Sequence, residues 1–326
     1  MIFTKNATEA VNLVAATWGR AHLSRGDAVL LTDMEHHANL VPWLMLAEER
    51  GLELRWIPMG DDYRLDLTDL DRLVDGVKLV ACTTMSNVLG TIPPFARIAE
   101  AAHRAGALVL ADGAQSVPHL VTDVRALGCD FLVFSAHKML GPTGLGVLWG
   151  KEEVLNAMPP WQGGGSMIAT VSPDEITWNR LPWKFEAGTP NIADAVAFAA
   201  SLKYLKDLGW EALEAHEKAL TERALERLKA VDGLTLYGPQ TAKDRVGVFS
   251  FNLAGVDAGD AGAILDSLGL ELRVGNLCAQ PLMKHFACAG MIRASFYLYN
   301  TLEEVDLLVE GLKRAQKMLG KAPAKA

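Results

Sequence analysis

Two side chains able to do covalent chemistry stand at the ends of apolar runs. Asp112 closes ALVLAD (107–112), and Lys138 follows FLVFS (131–135). Each alone has an ordinary reading. An aspartate before a glycine caps a helix or a turn, and a lysine at the rim of a sheet keeps its ammonium in water. Together they are the two groups that pyridoxal phosphate requires, an amine for covalent attachment and a carboxylate opposite the pyridine nitrogen. The phosphate of such a cofactor needs a helix N-terminus. TKNATEAVNLVAATWGR supplies one, with Asn6 as cap, Glu9 reaching back, and Val11, Leu13, Val14 and Trp18 marking the helix that follows. Thr8 and the backbone around Ala7 would then face an anion.

The elements that must position these residues follow from alternation. The runs AVLLT (28–32), VKLVACTT (77–84), ALVLAD, FLVFS and GVLWG (146–150) are separated by amphipathic segments such as 39–50 and 95–104. Strands joined by helices predict an α/β fold, a mostly parallel sheet covered by helices, which binds ligands at the carboxyl ends of its strands. From Pro159 to Asn191 the pattern gives way to a Gly-, Pro- and Trp-rich stretch, predicted to be a long ordered loop. A helical pattern from Ala193 to Ala230, interrupted near Gly209, leads to two further strands (234–238 and 246–253), a helix (258–268), the segments LELRVGN and IRASFYLYN, and a last helix from Leu302 to Met318. This reads as a large domain over 1–206 and a smaller α+β domain over 207–326. The tail GKAPAKA is expected to be disordered.

Composition narrows the function classes. Half of the 326 residues are hydrophobic, enough for one large core and a smaller one. Lys and Arg number 31 against 39 Asp and Glu, a net charge of -8, with no basic run to follow a phosphate backbone. Nucleic acid is therefore an unsuitable partner. No segment reads as a signal peptide or a bilayer span, which predicts a soluble, cytoplasmic protein. Cys82, Cys129, Cys278 and Cys288 lack both disulfide density and metal spacing, and no metal is expected.

The motifs MEHHANLVPW, SNVLGT, DGAQSVPH, FSAHKMLGPTG, FEAGTPN, CAQPLM and RASFYLYNT, in this order and spacing, resemble those of the class V, fold-type-I pyridoxal phosphate enzymes. They are most similar to the SufS/CsdA-type cysteine desulfurases, the group that includes the selenocysteine lyases. The resemblance implies Lys138 as the Schiff-base lysine, Asp112 as partner of the ring nitrogen, Gln115 at the phenolic oxygen, and His36 stacked on the ring. It implies Thr8, Ala7, Ser135 and His137 at the phosphate, with Thr189 reaching in from the second subunit of a homodimer. Asn87 and Arg293 would bind the substrate carboxylate, with Arg273 near Cys278, the nucleophile. The implied reaction converts L-cysteine to L-alanine with a persulfide on Cys278, supplying sulfur for iron-sulfur cluster assembly through a SufE-like or SufU-like acceptor. The alternatives are a selenocysteine lyase acting on L-selenocysteine, another class V aminotransferase-like enzyme, or a truncated non-catalytic homologue.

Three departures from the family pattern carry expectations of their own. The several dozen residues that usually precede the position of Phe3 are absent, so Ile2 and Phe3 read as the end of a strand. RVGNLC stands where a histidine pair usually precedes the cysteine, and neither Asn276 nor Leu277 can shuttle a proton near neutral pH. Ala7 replaces a common threonine, which removes a hydroxyl and leaves a backbone N–H.

Overall fold

The computed structural model describes residues 1–319; the GKAPAKA tail lies outside the described residues. The chain divides into two compact units. One comprises Met1–Pro58, Asp66–Met85 and Pro94–Gly209; the other comprises Met59–Leu65, Ser86–Pro93 and the chain from Trp210 onward.

The first unit is built on a seven-stranded sheet: β1 (Ile2–Thr4), β2 (Ala28–Thr32), β3 (Glu53–Ile57), β4 (Val77–Thr83), β5 (Leu108–Asp112), β6 (Phe131–Ser135) and β7 (Gly146–Gly150), in the order β1-β7-β6-β5-β4-β2-β3. β3, β2, β4, β5 and β6 are parallel neighbours, as expected of strands joined by crossovers. β7 returns antiparallel to β6, because the link from Ser135 to Gly146 is too short for a crossover helix. Ile2 pairs with Leu148, so β1 closes the edge beyond β7. β2, β4 and β5 are buried almost throughout, and the Ala7–Val14 helix packs its apolar face over the sheet, with Leu13, Val14 and, just beyond the helix, Trp18 in the same cluster as Leu110, Phe131 and Leu148. Burying this many aliphatic side chains, at about 25 cal/mol per Å² of apolar surface, is the main force holding the strand ends in register.

Two elements differ from expectation. β3 reads poorly as a strand because ELRWI lies at the sheet edge with Glu53 exposed and Arg55 half-buried, which hides the apolar pattern. The stretch 159–191 is not loop throughout. β8 (Ile168–Val171) and β9 (Ile176–Trp178) form an antiparallel hairpin, with Ser172 N–H donating to the Glu175 carbonyl across the Pro173-Asp174 turn. The β-branched residues on both sides of that turn are the physical cause.

The second unit holds a four-stranded antiparallel sheet in the order β10 (Leu234–Tyr237), β11 (Val248–Leu253), β13 (Met291–Ser295) and β12 (Arg273–Gly275). Helices 210–229, 258–267 and 302–319 share a core with its face, with Leu220, Leu228, Phe249, Phe251, Leu265 and Leu312 fully buried. Gly209 ends the Ile192–Leu208 helix at φ 83°, a value that glycine adopts without steric cost. Among the described residues no helix is long and apolar enough to cross a membrane.

Candidate active site

In the first unit the predicted cofactor residues collect at the carboxyl edge of the parallel strands. Asp112 is the last residue of β5 and lies opposite Thr83 of β4 and Val133 of β6. The chain must turn at once after it. A Cβ on Gly113 would stand 2.7 Å from Val117 Cγ2 and 2.8 Å from Leu132 Cδ1, so only glycine lets the backbone pass this close to β6. Asp112 is 4% exposed, and Ala114 N–H donates to its Oδ1 at 2.9 Å. Burial pushes the carboxyl above its usual range, against that hydrogen bond and the positive field of Lys138. A buried carboxylate with one backbone donor fits a cationic N–H placed opposite it, as a protonated pyridine ring supplies.

Lys138 lies in the 3₁₀ turn Ala136–Met139 that follows β6, and Leu140 ends the turn at φ 60°. The turn lifts the chain out of the sheet so that the lysine is half-buried rather than enclosed. Beside it, burial and the Lys138 charge together push the His137 imidazolium below its usual range. A neutral His137 near neutral pH retains one ring nitrogen as donor for an anion. Gln115 is half-buried just before the short Ser116–His119 helix.

The helix N-terminus is built as its sequence predicts. Asn6 Oδ1 accepts from Glu9 N–H at 3.0 Å, and Glu9 Oε2 accepts from Lys5 N–H. β7 lies so close that a Cβ on Gly146 would collide with the Asn6 backbone. Ala7 N–H is not turned toward an anion; it donates to Ser135 Oγ at 2.9 Å. Ser135 thereby ties the helix start to the end of β6, and Thr8 is the exposed residue of the first turn. Thr189 is exposed and lines a cleft of about 450 Å³ with Thr4, Lys5, Glu9 and Gly144.

His36 precedes a 3₁₀ turn, and its Nδ1 accepts from Ala38 N–H at 3.0 Å, which leaves Nε2 to carry the proton of the neutral ring. Its neighbour Glu35 was not singled out from sequence. The carboxylate is 2% exposed and accepts from Thr32 Oγ1 (2.7 Å), Asn39 Nδ2 (2.6 Å) and Thr83 N–H (2.9 Å), joining the ends of β2 and β4 to the His36 turn. Burial pushes it up to about 8 despite these donors, and the nearby Asp112 charge adds to the rise. The available signal was a glutamate three residues beyond a buried, mostly aliphatic strand, which reads equally as a cap.

In the second unit, Arg293 on β13 donates from Nη1 to the Asn87 carbonyl at 2.9 Å, and Asn87 Nδ2 donates to the Leu277 carbonyl at 2.8 Å. Arg273 on β12 is the register partner of Arg293. Two like charges directly across a strand pair repel, and burial followed by Arg273 pulls the Arg293 guanidinium below its usual range. Arg293 Nε is buried without a hydrogen-bond partner. An anion such as a carboxylate would answer both defects. Cys278 is half-buried and Cys288 likewise, whereas Cys82 and Cys129 are buried. Burial pushes the Cys82 thiol far up and Cys129 to about 12, so neither supplies a thiolate near neutral pH.

Comparison with known proteins gives one family. The aminotransferase class-V profile matches residues 1–308. A cysteine desulfurase of Enterobacter sp. (strain 638) is 51% identical over 322 residues, 98% of this chain and 79% of that protein. The crystal structure of the cysteine desulfurase CsdA (S-sulfonic acid) from Escherichia coli superposes with a TM-score of 0.93 at 39% identity, again over 98% of this chain and 79% of that one. The apo cysteine desulfurase of Thermococcus onnurineus NA1 gives 0.93 at 41% identity, with the same coverage. The fold is thus fold type I of the pyridoxal phosphate enzymes, as the mostly parallel sheet predicts. Matched over 98% of its length at this identity, the chain belongs to the pyridoxal phosphate-dependent aminotransferase class-V family.

Proposed function

We propose that the chain is a cysteine desulfurase that converts L-cysteine to L-alanine and takes the sulfur as a persulfide on Cys278. Its relatives carry that name at about half identity over nearly the whole chain. The observation that supports it most is Asp112, a buried carboxylate at a strand end with one backbone donor and the Lys138 charge acting on it. Bound pyridoxal phosphate supplies an electron sink that weakens bonds at the substrate Cα and Cβ.

The chain's own residues then divide the work. Lys138 is the covalent anchor, and its neutral amine, once released, removes the proton from the substrate Cα. Asp112 holds negative charge opposite the ring nitrogen and keeps that nitrogen protonated. Gln115 would serve the phenolic oxygen and His36, its ring oriented by the Ala38 N–H, would hold the cofactor ring. Thr8, Ser135 and His137 hold the phosphate, with Ser135 also anchoring Ala7 N–H, and Thr189 contributes to the second subunit of a homodimer. Arg293 and Asn87 hold the substrate carboxylate. The Cys278 thiolate attacks the substrate sulfur; the sulfur–Cβ bond breaks, its electron pair remains with carbon, and protonation at Cβ, with return of the proton from Lys138 to Cα, gives alanine. One thiol is reduced to a C–H bond and one is oxidised to a persulfide, so no outside oxidant is needed.

We assign the persulfide to a sulfur-accepting protein of SufE-like or SufU-like type, iron-sulfur cluster assembly as its use, and the cytoplasm as its place. The test is alanine release from L-cysteine by the protein loaded with pyridoxal phosphate. Absence of alanine, with or without a reductant as sulfur acceptor, would remove the proposal.

A further inference from the structure

The segment that carries Cys278 is held in an uncommon backbone conformation. Gly275 has φ 114°, Leu277 φ 52° and Cys278 φ 55°. Non-glycine residues rarely enter the left-handed region, and two in succession persist only when their surroundings over-determine them. Three hooks do so here. Asn276 Oδ1 accepts the Cys278 N–H at 3.0 Å, and the Asn276 carbonyl accepts the Ala279 N–H at 2.9 Å. The Leu277 side chain is 3% exposed and its carbonyl is taken by Asn87 Nδ2. At the start of the segment, Gly290 passes so close that a Cβ there would stand 3.0 Å from the Gly275 backbone.

Of these hooks, only the Asn276 side chain acts directly on the cysteine. A carbonyl oxygen two residues ahead of a backbone N–H forms an Asx turn, which substitutes for a backbone turn and sets the direction in which the next Cα–Cβ bond leaves the chain. The amide is uncharged, so it fixes geometry without adding charge beside the thiol. We propose that Asn276 is a positioning residue for sulfur transfer: its side-chain carbonyl holds Cys278 in the left-handed conformation that aims Sγ at the substrate. This rests on the reading of Cys278 as sulfur acceptor. It also gives the asparagine a role that needs no proton transfer at this position.

The test compares wild type, Asn276→Ala and Asn276→Ser, since a serine hydroxyl can accept the same N–H. With the holoenzyme, persulfide formed from L-cysteine in a single turnover is mapped by peptide mass spectrometry. Asn276→Ala is expected to form it on the order of tenfold more slowly, as a small misplacement of a reacting atom does. KM and the response of the visible cofactor band to L-cysteine should stay at wild-type values, and Asn276→Ser should recover most of the rate. With apo protein, the rate of iodoacetamide reaction at Cys278 is followed against pH. The Asn276→Ala variant should react faster than wild type with an unchanged midpoint, because the thiol is freed while its charge environment is not altered. Wild-type persulfide rates in Asn276→Ala, equal losses in the Ala and Ser variants, or a displaced midpoint would each overturn the proposal. If wild type forms no persulfide, the desulfurase reading fails, and the iodoacetamide comparison still decides whether Asn276 positions the cysteine.

Discussion

Glu35→Gln should remove a large part of the protein's loss of stability between mildly acidic and mildly alkaline pH. The Glu35 carboxyl is raised from 4.5 to about 8, first by complete burial, with Thr32, Thr83 and Asn39 opposing and Asp112 adding to the rise. Its folded form therefore keeps a proton that the unfolded chain has already lost. With the folded value above the unfolded one, Glu35 costs nothing below about pH 4.5, destabilises progressively as pH rises, and reaches its full cost above about pH 8. The rise corresponds to about 5 kcal/mol at about 1.4 kcal/mol for each tenfold change in acidity. Between about pH 6 and about pH 8 the wild type should lose about 2 kcal/mol through this residue alone. Urea unfolding of both proteins at each pH reads the difference, since titrating groups that do not interact with Glu35 cancel in the comparison. The reasoning is refuted if Glu35→Gln loses as much stability over that range as wild type.

Other consequences are equally specific. Lys138→Ala should fail to retain pyridoxal phosphate after borohydride reduction and denaturation, whereas wild type should carry it covalently, as mass spectrometry would show. Asp130 is 2% exposed and accepts from His103 Nε2, Lys151 Nζ and Val109 N–H; Asp130→Ala orphans the buried Val109 N–H, while His103 and Lys151 can turn to water, and should cost about 2 kcal/mol in urea unfolding. Gly113→Ala should cost about 2 kcal/mol and weaken cofactor binding, read by equilibrium titration of the visible band, because its methyl group would force β6 away from the Asp112 turn.

Strands buried on both faces were legible because they read as unbroken aliphatic runs. AVLLT and FLVFS are strands over the residues their composition marks, and the cap residues Asn6 and Glu9 with the apolar positions behind them announced the first helix. β3 was not legible, since an edge strand with Glu53 and Arg55 lacks the apolar signature. The hairpin within 159–191 was hidden by the surrounding glycines and prolines. Lys138 and Asp112 were legible as a pair because each sits where its strand ends. Glu35 was not, because beside its local donors Thr32 and Asn39 it takes the N–H of Thr83, 48 residues away on β4, and that pairing has no signal in the local sequence. The same holds for the Ala7 N–H, whose acceptor Ser135 is 128 residues away. Local pattern reveals elements and residue types; which polar groups satisfy one another is settled only by the tertiary pairing of strands.

The most direct test of the central claim is to react the pyridoxal phosphate-loaded protein with L-cysteine, quantify alanine, and map sulfur on every cysteine peptide of the same sample. One extra sulfur atom on Cys278, none on Cys82 or Cys129, and alanine in matching amount is the predicted result. Alanine released at the same rate by Cys278→Ser, or sulfur carried on a different cysteine, would contradict it.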